Sequence, residues 1–509
     1  MPSPIRYIVP FLLGGTILAG TGLAGTGLGA YQAAQAQAPT QAPSATQIPN
    51  DAVLRLAGSN TVGQKLAAML AAGWARKIGL PAIRTDAGAA EEEYSVIAER
   101  AEASRRLRVD VRAHGSTSGA EPLFRSQIDI WMSSRQARES DLEASRKKNV
   151  PGIPSFAQIT APGNEHVIAL DALAVLVHPR NPVQKLSVAQ IKDIYSGKLT
   201  NWADVGGPSL PIIRYSRESN SGTFDTFCTL VMGIGDAPKC TEAMGLAKDA
   251  RFESSEDLSD TVASNPSGIG FVGVGYIRGA RALDIASACG LTSSADVFLI
   301  KADEYPLSRR LYLYTMPGRA MSPTIREFLQ FTFSTDGQAR VVEAGFVNLL
   351  ASAAKPDYML QRIAIGTNAF DGGRLRVRGS DVQELARATN GAERLSITFR
   401  FRAGSNTLDS LADADIARLA ALLRTPAYEG AEVALVGFSQ AAGDYQENRA
   451  LSKERAEAVR DRLTADHGLK EITAYGVGPA SPVACNNEAA SAGRNQRVEV
   501  WIRGKGARG

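Results

Sequence analysis

Histidine and cysteine are the scarcest chemically reactive residues in this chain, with four of each among 509 residues. No two cysteines stand in CxxC spacing and only four histidines are present, so no zinc site is expected and no metal is assigned. Charge of one sign is missing as well: 56 Lys and Arg face 52 Asp and Glu, a net of +4. Nucleic-acid binding would require a basic face with interleaved aromatics, and aromatic residues are only 6% of the chain, so no nucleic-acid partner is expected. What is present is an ordinary globular balance, 44% apolar and 21% charged, on a chain long enough for two or three domains.

The N-terminus has the order of an export signal. MPSPIR is basic, the following stretch to Ala30 is uncharged, and Ala34 to Ala36 offers a small-residue cleavage site. The expected signal peptide spans 1–36; an uncleaved membrane anchor is the competing reading. No cysteine stands near it, which closes the lipoprotein route. Residues 37–50 are rich in Pro, Ala, Gln and Ser, as in a flexible leader. Export places the protein in an oxidising compartment. Cys228 and Cys240 flank a short loop and are expected to pair; Cys289 and Cys485 must meet across domains or stay free.

From Val53 the pattern becomes strand, polar turn, helix. VLRLAG alternates as a strand, and KLAAMLAAGWARKIG has apolar residues at helical spacing. The unit recurs in LRVDVRA–HGSTSG–AEPLFRSQ and in PIIRYSR–SNSGT–FDTFCTLVMG. Strands alternating with helices predict α/β sheets, whose ligands sit beyond the carboxyl ends of the strands. The turns GSNT (58–61), GSTSG (115–119) and SNSGT (219–223) share hydroxyls and open backbone N–H groups, and helix N-termini attract anions. Arg217 adds a planar cation able to hold a tetrahedral oxyanion with two hydrogen bonds. Hydrolysis is not expected, because GSTSG is not G-x-S-x-G and no Asp–His pairing accompanies His114.

The stretches LAGSNTVG, AHGSTSG, IDIWMSSRQA, IKDIYSGKLTNW, RESNSGTFDTF and GIGFVGVGY, in that order, resemble the periplasmic phosphate-binding proteins of ABC transporters. The resemblance covers about residues 51–350 and implies a two-lobed type 2 solute-binding fold with the anion in the cleft. It implies ligand contacts from Thr61 and Val62 on the first turn, Ser116 on the second, and Arg217, Ser221, Gly222 and Thr223 on the third. Two positions depart from the family pattern. Ser134 and Ser219 stand where aspartates are common, so the filter for a protonated phosphate is weakened while both serines stay in the expected set.

Beyond Leu350 the periodicity thins into a connector, 351–394. LSITFRFRAG, EVALVGFS and RVEVWIR then read as strands, with DADIARLAALLR and NRALSKERAEAVRDRLTADHG as helices, an α+β module. VGFSQAAGDYQENRALSKERAEAV and RNQRVEVWI resemble the OmpA-like peptidoglycan-binding domain over about 395–503. That family grips the peptide stem with an aspartate and an arginine. Here the arginine is Arg455, but Gln440 replaces the aspartate and Phe438 a common histidine; Asn448, Asn495 and Arg497 are expected to frame the pocket.

The expectation is an exported, non-enzymatic envelope protein without cofactor. It binds phosphate or a related oxyanion and attaches to peptidoglycan, with an ABC transporter permease as an implied partner. The alternative is a wall-anchored sensor or scaffold whose cleft does not serve transport.

Overall fold

The computed structural model describes residues 49–100, 104–354, 359, 362–364, 370–371, 374–375, 377–402, 405–441, 443–485 and 493–504. The export segment 1–36 and nearly all of the 37–50 leader lie outside the described residues.

Strand β1 (Asp51–Gly58) buries Ala52, Leu54 and Leu56 in alternation, and β4 (Arg105–Arg112) buries Leu107, Val109 and Val111. Each exposes charged residues on its other face, so the register that pairs Leu54 with Val109 is fixed by burial. β3 (Glu93–Arg100) pairs antiparallel with β4, and β2 (Ala82–Ala87) antiparallel with β3, an extension of the sheet that the sequence patterns did not single out. With β5 (Ile130–Ser133), β6 (Glu165–Val177), β7 (Ile213–Arg214), β8 (Gly268–Gly273) and β9 (Ser308–Tyr314), they form a sheet of order β2-β3-β4-β1-β5-β9-β6-β8-β7.

Two cores divide this sheet into two lobes. Lobe 1 closes around Leu54, Leu66, Trp74, Phe328 and Val341, the last two on helices α4 (Pro323–Phe333) and α5 (Thr335–Glu343). Lobe 2 closes around Leu173, Tyr195, Trp202, Phe227 and Phe271, where the Phe227 and Phe271 rings stack at 3.9 Å. β6 crosses from one to the other: Ile168 and Ala169 belong to the first core, Leu170 and Leu173 to the second. Nearly all of its thirteen residues are buried, as expected of a strand covered on both faces. β9 runs back antiparallel beside it, from Leu307 in the second core to Leu311 and Leu313 in the first. The hinge therefore lies at Leu170–Asp171 and Arg309–Arg310.

The C-terminal module is a five-stranded sheet. β10 (Ala353–Ala354) pairs β11 (Glu393–Arg400), followed by β14 (Arg497–Arg503), β12 (Glu432–Phe438) and β13 (Ile472–Gly476). Helices α7 (Ser410–Leu423) and α8 (Tyr445–His467) cover one face through Leu419, Val459 and Leu463. The connector segment supplies both the edge strand β10 and α6 (Gly379–Thr389), which packs Leu385 and Ala388 on the other face against Phe438 and Trp501. Gly437 is required at the end of β12, since a Cβ there would lie 1.9 Å from the Ser452 carbonyl oxygen of α8.

Both cysteine pairs are disulfides. Cys228–Cys240 staples lobe 2, and Cys289–Cys485 joins lobe 2 to the C-terminal module. A buried ionic cluster joins the same two parts. Glu304 Oε1 accepts from Arg394 Nη2 at 2.6 Å, Glu304 Oε2 from Arg362 Nη2 at 2.8 Å, and Arg497 Nε stands 3.8 Å away. Burial alone would raise the Glu304 carboxyl, but Arg362, Arg394 and Arg497 outweigh it and hold it well below the ordinary carboxylate range.

Removing one member of a buried ion cluster costs about 3–5 kcal/mol, because its partners stay buried without a counter-charge. Glu304→Gln should therefore lower the unfolding free energy at pH 7 by about 3–5 kcal/mol, read from the fall in the urea midpoint multiplied by m. Since the folded carboxyl is depressed, its contribution is present above the unfolded pKa and fades as pH falls below it. The gap between wild type and variant should narrow in acid, which a urea series at falling pH would measure.

Candidate functional site

The first turn begins where β1 ends. Ser59 caps the helix that follows, accepting from Gly63 N–H at its carbonyl (2.8 Å), and Thr61 sits buried in the first helical turn. That helix continues into α1 (Ala68–Lys77). In the third turn Ser221 is the N-cap of α2 (Gly222–Phe227), its hydroxyl accepting from Thr223 N–H at 3.2 Å. The two turns come from different lobes and touch. A Cβ on Gly222 would lie 2.6 Å from Thr61 Oγ1, so only glycine allows this approach. Further bonds cross the cleft: Gln64 Nε2 donates to Asn220 O at 2.9 Å, and Lys65 Nζ to the Tyr276 hydroxyl at 2.8 Å.

Between the lobes lies a cavity of about 210 Å³, lined by Thr61, Lys65, Asp171, Arg217, Ser221, Gly222, Thr223 and Tyr276. Residues Glu253–Glu256, at the start of helix α3 (Ser255–Ser264), complete one wall. Five residues of the expected ligand set are thus brought together: Thr61, Arg217, Ser221, Gly222 and Thr223. The other four are not. Val62 is buried in the lobe 1 core. Ser116 and Ser134 lie outside the cavity lining and bond to each other, Oγ to Oγ at 3.1 Å, because the β5 end turns its Ser134 N–H onto the Ser116 hydroxyl. Ser219 is exposed at the tip of its turn, away from the lining.

Arg217 is more committed than the sequence implies. Its Nε donates to Phe252 O at 3.1 Å, Nη2 to Glu253 O at 2.5 Å, and Nη1 to Thr223 Oγ1 at 3.4 Å and to Ser255 Oγ. A guanidinium has five N–H donors, so one is left for a ligand. Burial lowers its pKa from the ordinary value, opposed by Tyr276, Glu256 and Glu253.

A second arginine, missed in the sequence, organises the cleft. Arg309 on β9 is 8% exposed. Its Nε donates to Asp171 Oδ2 at 3.2 Å and its Nη1 to Asp225 Oδ2 at 2.9 Å. Its Nη2 reaches both lobes, donating to Thr61 Oγ1 at 2.9 Å and Gly222 O at 3.1 Å. Because Thr61 Oγ1 accepts from Arg309, the Thr61 hydroxyl hydrogen remains for another acceptor. Thr226 Oγ1 also stands 2.8 Å from Asp171 Oδ2, which fixes that carboxylate. The signal was present in SRRLYLY, an alternating strand with two adjacent arginines, but no ligand-turn pattern points to it.

In the C-terminal module Arg455 is 3% exposed beneath the Phe401 ring, 5.1 Å from its centroid. Its Nη2 donates to Gln496 Oε1 at 3.0 Å, while Nε and Nη1 are buried without a hydrogen-bond partner among the described residues. Burial lowers its pKa from the ordinary value. Gln440 is half-buried at the end of β12. Asn448 Nδ2 donates to Asp444 O within the first turn of α8. Arg497 does not frame a pocket. It is fully buried, donating to Glu499 and Ser481 O under Phe438, and is a core ion pair of the sheet. Asn495 is likewise consumed, accepting from Val483 and Ala484 N–H.

Residues 87–336 match the model of the PBP superfamily domain, and residues 400–496 that of the OmpA family. The chain joins a PBP-superfamily domain to an OmpA-family domain. The PBP-like domain is similar to protein SphX of Synechococcus elongatus, 29% identical over 266 residues, covering 49% of this chain and 72% of that protein. It is similar to the phosphate-binding protein PstS of Pseudomonas aeruginosa, 27% identical over 270 residues, covering 49% and 76%. Among solved structures, an ABC-type phosphate transport receptor from Vibrio cholerae aligns with 24% identity over 58% of this chain and 99% of its own, at a TM-score of 0.40.

Arg309→Met should leave Asp171 buried without its cation, a loss of about 3–5 kcal/mol in folding stability for a broken buried pair. Arg309→Lys keeps the charge but not the fork, and should lose less. Urea unfolding followed by tryptophan fluorescence would rank wild type, Lys and Met in that order.

Proposed function

We propose that this is an exported envelope protein that binds phosphate in the cleft of its PBP-like domain and holds peptidoglycan through its OmpA domain. It acts by binding rather than catalysis. The observation that carries the reading is the convergence of Thr61, Arg217 and the Ser221–Thr223 turn, from two lobes, on one cavity. Each supplies hydroxyl or N–H donors, and the first-turn N–H groups of a helix lack intrahelical acceptors.

The lining also carries carboxylates, Asp171, Glu253 and Glu256, against Lys65 and Arg217. A phosphate that keeps a proton at neutral pH can donate it to a carboxylate. Sulfate has none to give and meets only repulsion, an arrangement that selects against the wrong anion. The aspartates absent at Ser134 and Ser219 are thus replaced by carboxylates from the hinge strand and the α3 terminus.

Isothermal titration of the full chain should give heat with phosphate and little with sulfate. Arg217→Ala should weaken phosphate by about 1.5–3 kcal/mol, the worth of one hydrogen bond to a charged group. Glu256→Gln should narrow the gap between the two anions. No heat with phosphate at millimolar concentration would reject the reading.

For the wall, Arg455 is the group proposed to meet a stem carboxylate, and the neutral Gln440 leaves the stem ammonium without an ion pair. Arg455→Ala should abolish co-sedimentation with peptidoglycan, and Gln440→Asp should strengthen it by about 1 kcal/mol, as a partly exposed charge-assisted bond would. Unchanged sedimentation in both variants would remove the pocket from consideration.

A second reading, a wall-anchored sensor or scaffold rather than a carrier for a permease, is favoured by the disulfide that ties the OmpA domain to lobe 2. A carrier held at the wall is poorly placed to deliver its ligand to a membrane transporter.

A further inference from the structure

The OmpA domain does not hang from one lobe; it grips both. On lobe 1, Arg402 Nη2 donates to Thr160 O at 3.0 Å and Ser410 Oγ to Glu165 Oε1 at 2.5 Å. Leu411, the next residue of α7, joins the apolar cluster of Trp131 and Tyr314. On lobe 2, Cys485 is bonded to Cys289, Arg394 pairs with Glu304, and Arg400 Nη2 donates to Asp303 O at 2.9 Å. At the hinge itself, Arg310 spans Asp303 of lobe 2 at 3.1 Å and Asp409 of the OmpA domain at 2.7 Å.

We propose that the OmpA domain has a second role, as a brace that fixes the angle between the two lobes of the PBP-like domain. Two-lobed binding domains close by rotation about a few hinge residues. Domains of one chain move relative to each other by default unless their interface is large and apolar. Here a third body is fastened to both moving parts by a covalent bond, buried ion pairs and an apolar plug. Rotation about Leu170 and Arg309 must shear either the Ser410–Glu165 and Leu411 contacts or the Glu304 cluster. Neither can be given up without leaving buried charge or apolar surface exposed. Successive residues of a strand face opposite sides, so Arg309 holds the cleft and Arg310 holds the brace from the same point of β9. The inference rests on these contacts and not on which ligand the cleft takes.

The test is made on the full chain. Spin labels are placed at exposed Ala87 on lobe 1 and exposed Lys248 on lobe 2 through encoded keto amino acids, which spare both disulfides. Pulsed electron-electron resonance then gives the interlobe distance distribution without added anion. Wild type should give one narrow distribution. Arg402→Gln with Ser410→Ala and Leu411→Ala, which removes these contacts with lobe 1, and Cys289→Ser with Cys485→Ser, which weakens the hold on lobe 2, should each broaden it at least twofold. A broad wild-type distribution overturns the brace, as do narrow distributions in both freed variants. If one variant fails to fold cooperatively, the other and the wild-type width still decide. Binding heat from added inorganic phosphate is read separately, so the brace and the phosphate reading can fail independently.

Discussion

Two neighbouring guanidinium groups near the start of β9 set the terms for the rest of the molecule. Arg309 and Arg310 lie where the chain crosses between lobes, and both are almost fully buried. A buried cation without a counter-charge costs several kcal/mol, so each must draw carboxylates to itself. Arg309 draws Asp171 from β6 and Asp225 from α2, and its last nitrogen then reaches Thr61 and Gly222, the two turns of the cleft. Arg310, on the other side of the strand, draws Asp303 and Asp409, and with Asp409 comes the start of α7. Cleft and seat are thus both answers to one electrostatic demand.

The same demand explains why the cleft is not a basic funnel. Arg217 spends most of its donors on the β-turn and helix start of its own lobe, and Arg309 lies behind the lining rather than in it. What lines the cavity is a set of hydroxyls with the Arg217 guanidinium and the Lys65 ammonium, set against the carboxylates of Asp171, Glu253 and Glu256. Such a site discriminates by the direction of each hydrogen bond more than by net charge. A donor already fixed by a protein partner, as Thr61 Oγ1 is by Arg309, adds to that direction at little cost in ordering.

Much of this was legible in the sequence. The alternation in VLRLAG and LRVDVRA and the helical spacing that follows marked the α/β sheets and the α+β module, because periodicity reports burial directly, while the two lobes were implied only by the family resemblance. The Cys228–Cys240 pair follows from nearness in the chain. Partners distant in sequence were not legible. Arg309 meets Thr61 across 248 positions, and Cys289 meets Cys485 across 196. Ser116 and Ser134 were placed in the ligand set by motif alone; their mutual bond satisfies both inside lobe 1, a matter of how β5 ends that no motif encodes. Arg497 misled for a related reason. The N-x-R-V-E signature names the arginine, but only the fold reveals that Glu499, two residues on and on the same face, already holds it.

The OmpA domain makes the contrast between its own two arginines instructive. Arg497 has Glu499 and Ser481 and needs nothing more, so it contributes only to the fold. Arg455 is almost as deeply placed, yet among the described residues two of its nitrogens have no acceptor and the third donates to a neutral glutamine oxygen. Buried N–H groups left unmade each cost of order 1–3 kcal/mol, and more when charged, so the module carries this arrangement at a loss of stability. A carboxylate arriving from outside would recover that loss by forming the bonds the protein omits, and the recovered energy would appear as affinity. That deficit is the argument for the proposed wall contact at Arg455 over one at Arg497.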